Sequence, residues 1–149
     1  MFDVHAEAEN SRKEKTMRYM MIYKPADTNS AESGTPPSQK EMEEMGKLIG
    51  DMAKAGVLLA TDGLKPSSKG VRVKLAGGKF TVTDGPFTEA KEVIAGFAIV
   101  RVESKAEAIE WTRRFLAIAG EGVSEIREMH DVPAYPPEGA RQPAHAAQR

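Results

Sequence analysis

Residues 94–102, Ile-Ala-Gly-Phe-Ala-Ile-Val-Arg-Val, read as a long strand that is apolar on both faces. Phe97 and Ile99 point one way, and Ala98, Val100 and Val102 point the other. Residues 17–23 share the property, with Met20 and Ile22 opposed to Tyr19, Met21 and Tyr23. An antiparallel sheet with one wet face alternates more cleanly than this. The chain offers two segments with helical periodicity, and two helices shield only one face of such a sheet. The other face needs a second apolar surface, most simply an identical sheet across a two-fold axis. A homodimer is therefore expected, the alternative being coverage by the 24–37 loop and the chain ends.

Both helices are marked by their first residues. Ser38-Gln39-Lys40-Glu41 and Ser104-Lys105-Ala106-Glu107 have capping-box spacing, in which serine and glutamate each satisfy an orphan backbone donor. The first helix is expected to turn Met42, Met45, Ile49 and Met52 inward. Lys40, Glu44, Lys47, Asp51 and Lys54 lie on its other side, and Gly56 stops it. The second is expected to bury Ala108, Trp111, Thr112, Phe115, Ile118 and Ala119. Glu110 and Arg114 pair on its outer face, and Gly120 and Gly122 end it.

Between the helices, Val57 to Thr61 reads as a strand and is followed by a hairpin. With Gly77-Gly78 as a two-residue turn, Leu75 opposes Phe80 and Val73 opposes Val82 on one face. Lys74 opposes Thr81 and Arg72 opposes Thr83 on the other. A one-residue slip destroys this agreement, so the register is specified. Asp84-Gly85-Pro86 ends the pairing, because proline has no N–H to give a ladder. Residues 24–37, with Pro25, Gly34, Pro36 and Pro37, read as a long loop. Val123 to Asp131 make a last strand. The order β-α-β, hairpin, β-α-β predicts an α+β fold. It is a ferredoxin-like layer: a mainly antiparallel sheet of about six strands with two helices on one face.

A chain of 149 residues suits one domain, placed at 17–131. Residues 1–16 are polar and aperiodic and read as an extension, with Met17 a candidate natural start. Residues 132–149 hold four of the nine prolines and read as a tail. The 21 basic and 22 acidic residues give no excess to attract phosphate backbones, so no nucleic-acid partner is expected. The absence of cysteine excludes disulfides, thiolate nucleophiles and cysteine-ligated zinc. With no apolar leader and no run of transmembrane length, a cytoplasmic protein without a membrane partner is expected.

The chemistry-bearing residues leave alternatives open. Asp84 reads as a general base or metal ligand beside Glu89 and Glu92, or as the Asx-type residue that holds its turn. Glu89, Lys91 and Glu92 read as a polar cleft with Lys91 as anion anchor, or as a solvated charge cluster. Arg72 and Arg101 read as carboxylate binders or as solvent-facing strand positions. Asp62 is a turn residue rather than a metal ligand, since no further ligands are named around it. Tyr19, Tyr23 and the methionines either floor an apolar pocket or fill the core. His130-Asp131 are strand neighbours that point to opposite faces and make a poor dyad. No phosphate-cradling loop, HExxH, nucleophile elbow or dinucleotide fingerprint occurs, so neither metal nor cofactor is expected.

Gly63-Leu64-x-Pro66, Val71-Arg72-Val73 and Thr83-Asp84-Gly85-Pro86-Phe87-x-Glu89-x-Lys91-Glu92, with the following strand and Ala-Ile-Glu-Trp helix, resemble the YCII-related DGPF-domain family. The resemblance covers roughly residues 17–131. It implies a dimeric α/β barrel in which two ferredoxin-like sheets face each other around a cleft. It also implies a largely unassigned function. Some relatives look like companions of extracytoplasmic-function sigma factors, and the wider group carries a His-Asp pair near its first helix. The histidines here are His5, His130 and His145, so that pair has no counterpart. Two functions are weighed. One is a ligand-binding or weakly enzymatic cleft built around Asp84, Glu89, Lys91 and Arg72. The other is a sigma-factor accessory protein acting by protein contact.

Overall fold

The computed structural model describes residues 16–87 and 93–131. The expected extension (apart from Thr16), the expected tail, and Glu89, Lys91 and Glu92 lie outside the described residues. The elements run β1 (Met17–Pro25), α1 (Thr28–Ser33), α2 (Gln39–Lys54), β2 (Leu58–Gly63), β3 (Val71–Ala76), β4 (Lys79–Asp84), β5 (Gly96–Val102), α3 (Lys105–Ala119) and β6 (Gly122–Glu128). The fold is α+β. Strands β2, β5, β1 and β6 form one sheet in that order, with every neighbouring pair antiparallel.

The long helices begin at the expected serines. Ser38 Oγ accepts from the Glu41 N–H at 3.2 Å, and Ser104 Oγ accepts from the Glu107 N–H at 3.1 Å. Glu107 in turn accepts from the Glu103 N–H at 2.9 Å, one residue short of a strict reciprocal box. Both helices lie on one face of the sheet. Leu48 and Met52 of α2 and Ala108 of α3 form the buried core with Tyr19, Met21, Val57, Val100 and Val102. The inner stripe of α2 is Met45, Leu48 and Met52, spaced three and four residues apart. Met42 and Ile49 were expected there, but they are 54% and 38% exposed. Helix α3 buries Ala108 and Thr112 and packs Trp111, Phe115 and Ile118 against the core, as its periodicity predicts. Its Arg114 does not pair with Glu110. It reaches across to Asp51 of α2 at 2.6 Å, and Glu110 takes Arg113 instead.

Two departures from expectation concern the middle of the chain. The 24–37 segment contains a helix, α1, capped by Asp27 Oδ1 accepting from the Ser30 N–H at 3.1 Å. Five of its six residues are polar and show no apolar period, so the pattern reads as loop. The hairpin β3–β4 has the expected register, with Leu75 opposite Phe80 and Val73 opposite Val82. It forms a separate two-stranded sheet, however, so the expected layer of about six strands divides into four and two. Strand β5, which follows the hairpin in the chain, pairs with β1 and β2 instead of with β4. Gly77 and Gly78 both take positive φ (57° and 76°), as a tight hairpin turn requires.

The hairpin root is held by one serine. Ser67 lies in a short 3₁₀ turn (Ser67–Lys69). Its hydroxyl donates to Glu32 Oε2 of α1, and its N–H donates to Glu32 Oε1 at 3.3 Å. The same hydroxyl oxygen accepts from the Phe87 N–H at 3.1 Å. The Gly85 N–H donates to the Gly70 carbonyl at 3.0 Å, and a Cβ on Gly85 would overlap the Ser67 carbonyl oxygen.

Two predictions follow from this packing. Gly85→Ala should destabilise the fold by about 1–3 kcal/mol, because backbone must move to admit the methyl group. Gly46→Ala, in α2 with open space around it, should stabilise by about 0.5–1 kcal/mol. Urea midpoints that shift in the same direction for both variants contradict the close approach at Gly85. The Arg114 hydrogen bond, helped by Lys47 and Lys54, holds the Asp51 carboxyl below its ordinary value of 3.8. A depressed carboxylate stabilises the fold above its unfolded value and loses that contribution as pH falls through the folded one. Asp51→Asn should therefore unfold earlier than the parent at pH 7, and the gap should close as pH falls below 3.8. A gap that is constant down to pH 3 contradicts the pairing.

Candidate functional site

Of the four residues suggested by sequence, Arg72 and Asp84 are described, and they do not come together. Arg72 lies opposite Thr83 and Asp84 lies opposite Val71, which places them on opposite faces of the hairpin. Arg72 stacks its guanidinium over the Phe87 ring, 3.8 Å from the centroid. Asp84 is exposed at the end of β4, and the backbone bonds that fix its turn come from Gly85 and Phe87. Glu89 and Lys91 lie outside the described residues. His130 is exposed, and its carbonyl accepts from Arg18 at 2.9 Å. Among the described residues no three acidic or imidazole side chains come together as metal ligands would. Nor is any helix there long and apolar enough to cross a membrane.

A different site is present on the helix-covered side of the sheet. A cavity of about 340 Å³ lies between α2 and the strands, with almost wholly apolar walls. Its roof is Met45, Leu48, Ile49 and Met52 of α2. Its floor crosses all four strands: Leu58, Thr61 and Gly63 on β2, Gly96 and Ala98 on β5, Met21 and Tyr23 on β1, Ser124 on β6. The local cause is side-chain length. Gly63, Ala95, Gly96 and Ala98 are too short to fill the space under the helix. Leu48 and Met52, which also pack into the buried core, hold α2 at the spacing that longer side chains need.

The cavity has few polar groups. Thr61 already donates its hydroxyl to the Phe97 carbonyl at 3.0 Å. Tyr23 packs edge-on against Phe115 with centroids 5.1 Å apart, and its hydroxyl makes only a long bond of 3.5 Å to the Ala119 carbonyl. Burial, and secondarily the Glu41 charge, raises the Tyr23 phenol above its ordinary 10.0, so it is a neutral donor at physiological pH. Ser124 faces Tyr23 across the β1–β6 ladder. Its Oγ is buried and has no hydrogen-bond partner. Asp62, on β2, borders the cavity through its backbone, but it pairs with Phe97 and so turns its side chain to the other face of the sheet. The sequence offered Tyr23 and the methionines as either pocket or core, and Met21, Met45, Met52 and Tyr23 all line this cavity. Ser124 carried no sequence signal, because a serine in an alternating edge strand looks like any solvent position.

Two apolar surfaces have no described cover. The sheet face away from α2 and α3 carries Met20 and Ile22 opposite Ile99 and Phe97, with Val123 beside them. One face of the hairpin presents Val73, Leu75, Phe80 and Val82, each more than 60% exposed.

A search of the curated proteins finds no match to this sequence. The YCII-related domain matches residues 17–132, a span that includes every strand and helix described above. The chain belongs to the YCII-related family.

Proposed function

We propose that this protein is a homodimeric small-molecule-binding protein whose ligand occupies the cavity beneath α2. The observation that carries this reading is the cavity itself. Its volume of about 340 Å³ falls within the range of small-molecule sites, roughly 300–1,000 Å³. Its methionine- and aromatic-rich wall, with a few polar groups, has the usual composition of such sites. The reading does not need catalysis, and the His-Asp pair of the wider family has no counterpart in this chain.

The same proposal treats the four-stranded layer as ferredoxin-like and the assembly as a dimeric α/β barrel. Support comes from the order β2-β5-β1-β6 and from the open face of Met20, Ile22, Phe97 and Ile99. Pairing that face with a second copy removes apolar surface from water at roughly 25 cal/mol per Å². One observation favours a second reading, the sigma-factor accessory role: the exposed hairpin face of Val73, Leu75, Phe80 and Val82 suits a protein partner.

Two measurements test the proposal. Light scattering at micromolar concentration should give twice the 16.2 kDa chain mass. Ile99→Arg should give the single mass with an unchanged far-ultraviolet spectrum. A monomeric parent ends the dimer claim. The neutral fluorophore N-phenyl-1-naphthylamine should bind one per chain, and Ile49→Trp, at the half-exposed rim, should weaken it about tenfold without loss of stability. No probe binding to the parent overturns the ligand reading. A hairpin face still open to solvent in the dimer would favour the protein-contact reading.

A further inference from the structure

The geometry points to a specific ligand class: a neutral, elongated apolar molecule with one hydrogen-bonding end, which Ser124 holds. This inference rests on the cavity being a binding site. The floor runs from Asp62 and Gly63 on β2 to Ser124 on β6, across the whole width of the sheet. Three strand spacings make that width roughly 14 Å. A cavity of about 340 Å³ that extends over roughly 14 Å is longer than it is wide, which suits an extended chain or a flat ring edge-on better than a compact molecule.

The polarity of the channel is uneven. At the β6 end the Ser124 hydroxyl is buried without a partner. A buried polar atom left unpaired costs free energy that a partner recovers. A lone water is a poor candidate, because it needs two to four polar neighbours. Across the ladder Ser124 faces Tyr23, whose hydroxyl is directed to the Ala119 carbonyl, while Met21 and Phe115 of the wall are apolar. A hydroxyl or carbonyl at the tip of an apolar ligand meets the need while the remainder displaces nothing polar. At the β2 end Asp62 pairs with Phe97 and turns its side chain to the opposite face of the sheet, and the described wall holds no cation. An anionic ligand therefore finds no counter-charge in the described wall to offset its lost hydration. The favoured ligand is neutral, such as a medium-length alcohol, aldehyde or ketone.

The test uses the full-length chain and displacement of N-phenyl-1-naphthylamine by straight-chain primary alcohols from hexanol to tetradecanol. Affinity should rise about fourfold per added methylene and level off once the chain outgrows the roughly 14 Å channel. Octanoate should bind at least tenfold more weakly than octanol. Ser124→Ala should lower alcohol affinity about three- to tenfold while leaving the methylene increment intact. The same variant should melt no lower than the parent without ligand, since it removes an unpaired group. Should alanine disturb β6, Ser124→Cys, with its weaker donor, should give an intermediate loss. Failure of the probe itself to bind overturns the cavity as a site. Probe binding without a methylene ladder, or an octanoate affinity equal to that of octanol, overturns the ligand class and leaves the cavity standing. Alcohol affinity unchanged in both Ser124 variants overturns the role of the hydroxyl.

Discussion

The spacing between α2 and the sheet governs the rest of this molecule. It is fixed where Leu48 and Met52 meet Val100, Val102, Tyr19 and Met21 in the buried core. The Asp51–Arg114 pair ties α2 to α3 on the outside. A rigid helix set at that height stays at it along its length, because interiors pack densely and helices do not bend to fill gaps. Where the sheet below narrows to Gly63, Ala95, Gly96 and Ala98, space remains. The hole thus follows from two local choices, bulky residues at one end of the floor and minimal ones at the other.

Much of the fold was legible in the residues, and the reasons are local. The serine-to-glutamate spacing named both long helices, since capping acts within one turn. The two-residue glycine turn specified the hairpin ladder, because any slip exposes a different set of side chains. Long-range matters were not legible. That the hairpin stands apart from the main sheet depends on β5 pairing with β1 and β2 instead of with β4. That Glu32 grips Ser67 depends on contact between residues 35 apart in sequence. The inner stripe of α2 expected from sequence is Met42, Met45, Ile49 and Met52. Leu48, buried in the structure, fits three-and-four spacing with Met45 and Met52 as well as Ile49 does, so spacing alone does not choose between them.

The binding region was less legible than the fold. Charged residues draw attention in a sequence, and Asp84, Glu89, Lys91 and Arg72 were grouped for that reason. Strand alternation then puts Asp84 and Arg72 on opposite faces of their hairpin. An apolar channel has no such signature. Its walls are core-like residues on two helices and four strands, and its one informative atom, Ser124 Oγ, is distinguished only by lacking a partner.

The Asp84-Gly85-Pro86-Phe87 turn, the most distinctive segment of the sequence, docks on Ser67 and Gly70 and contributes no residue to the described wall beneath α2. The signature turn and the proposed binding surface therefore lie in different parts of the chain. Substitutions on α2 and β6 can reshape the channel without touching the turn, so the motif by itself names a scaffold and not a guest molecule.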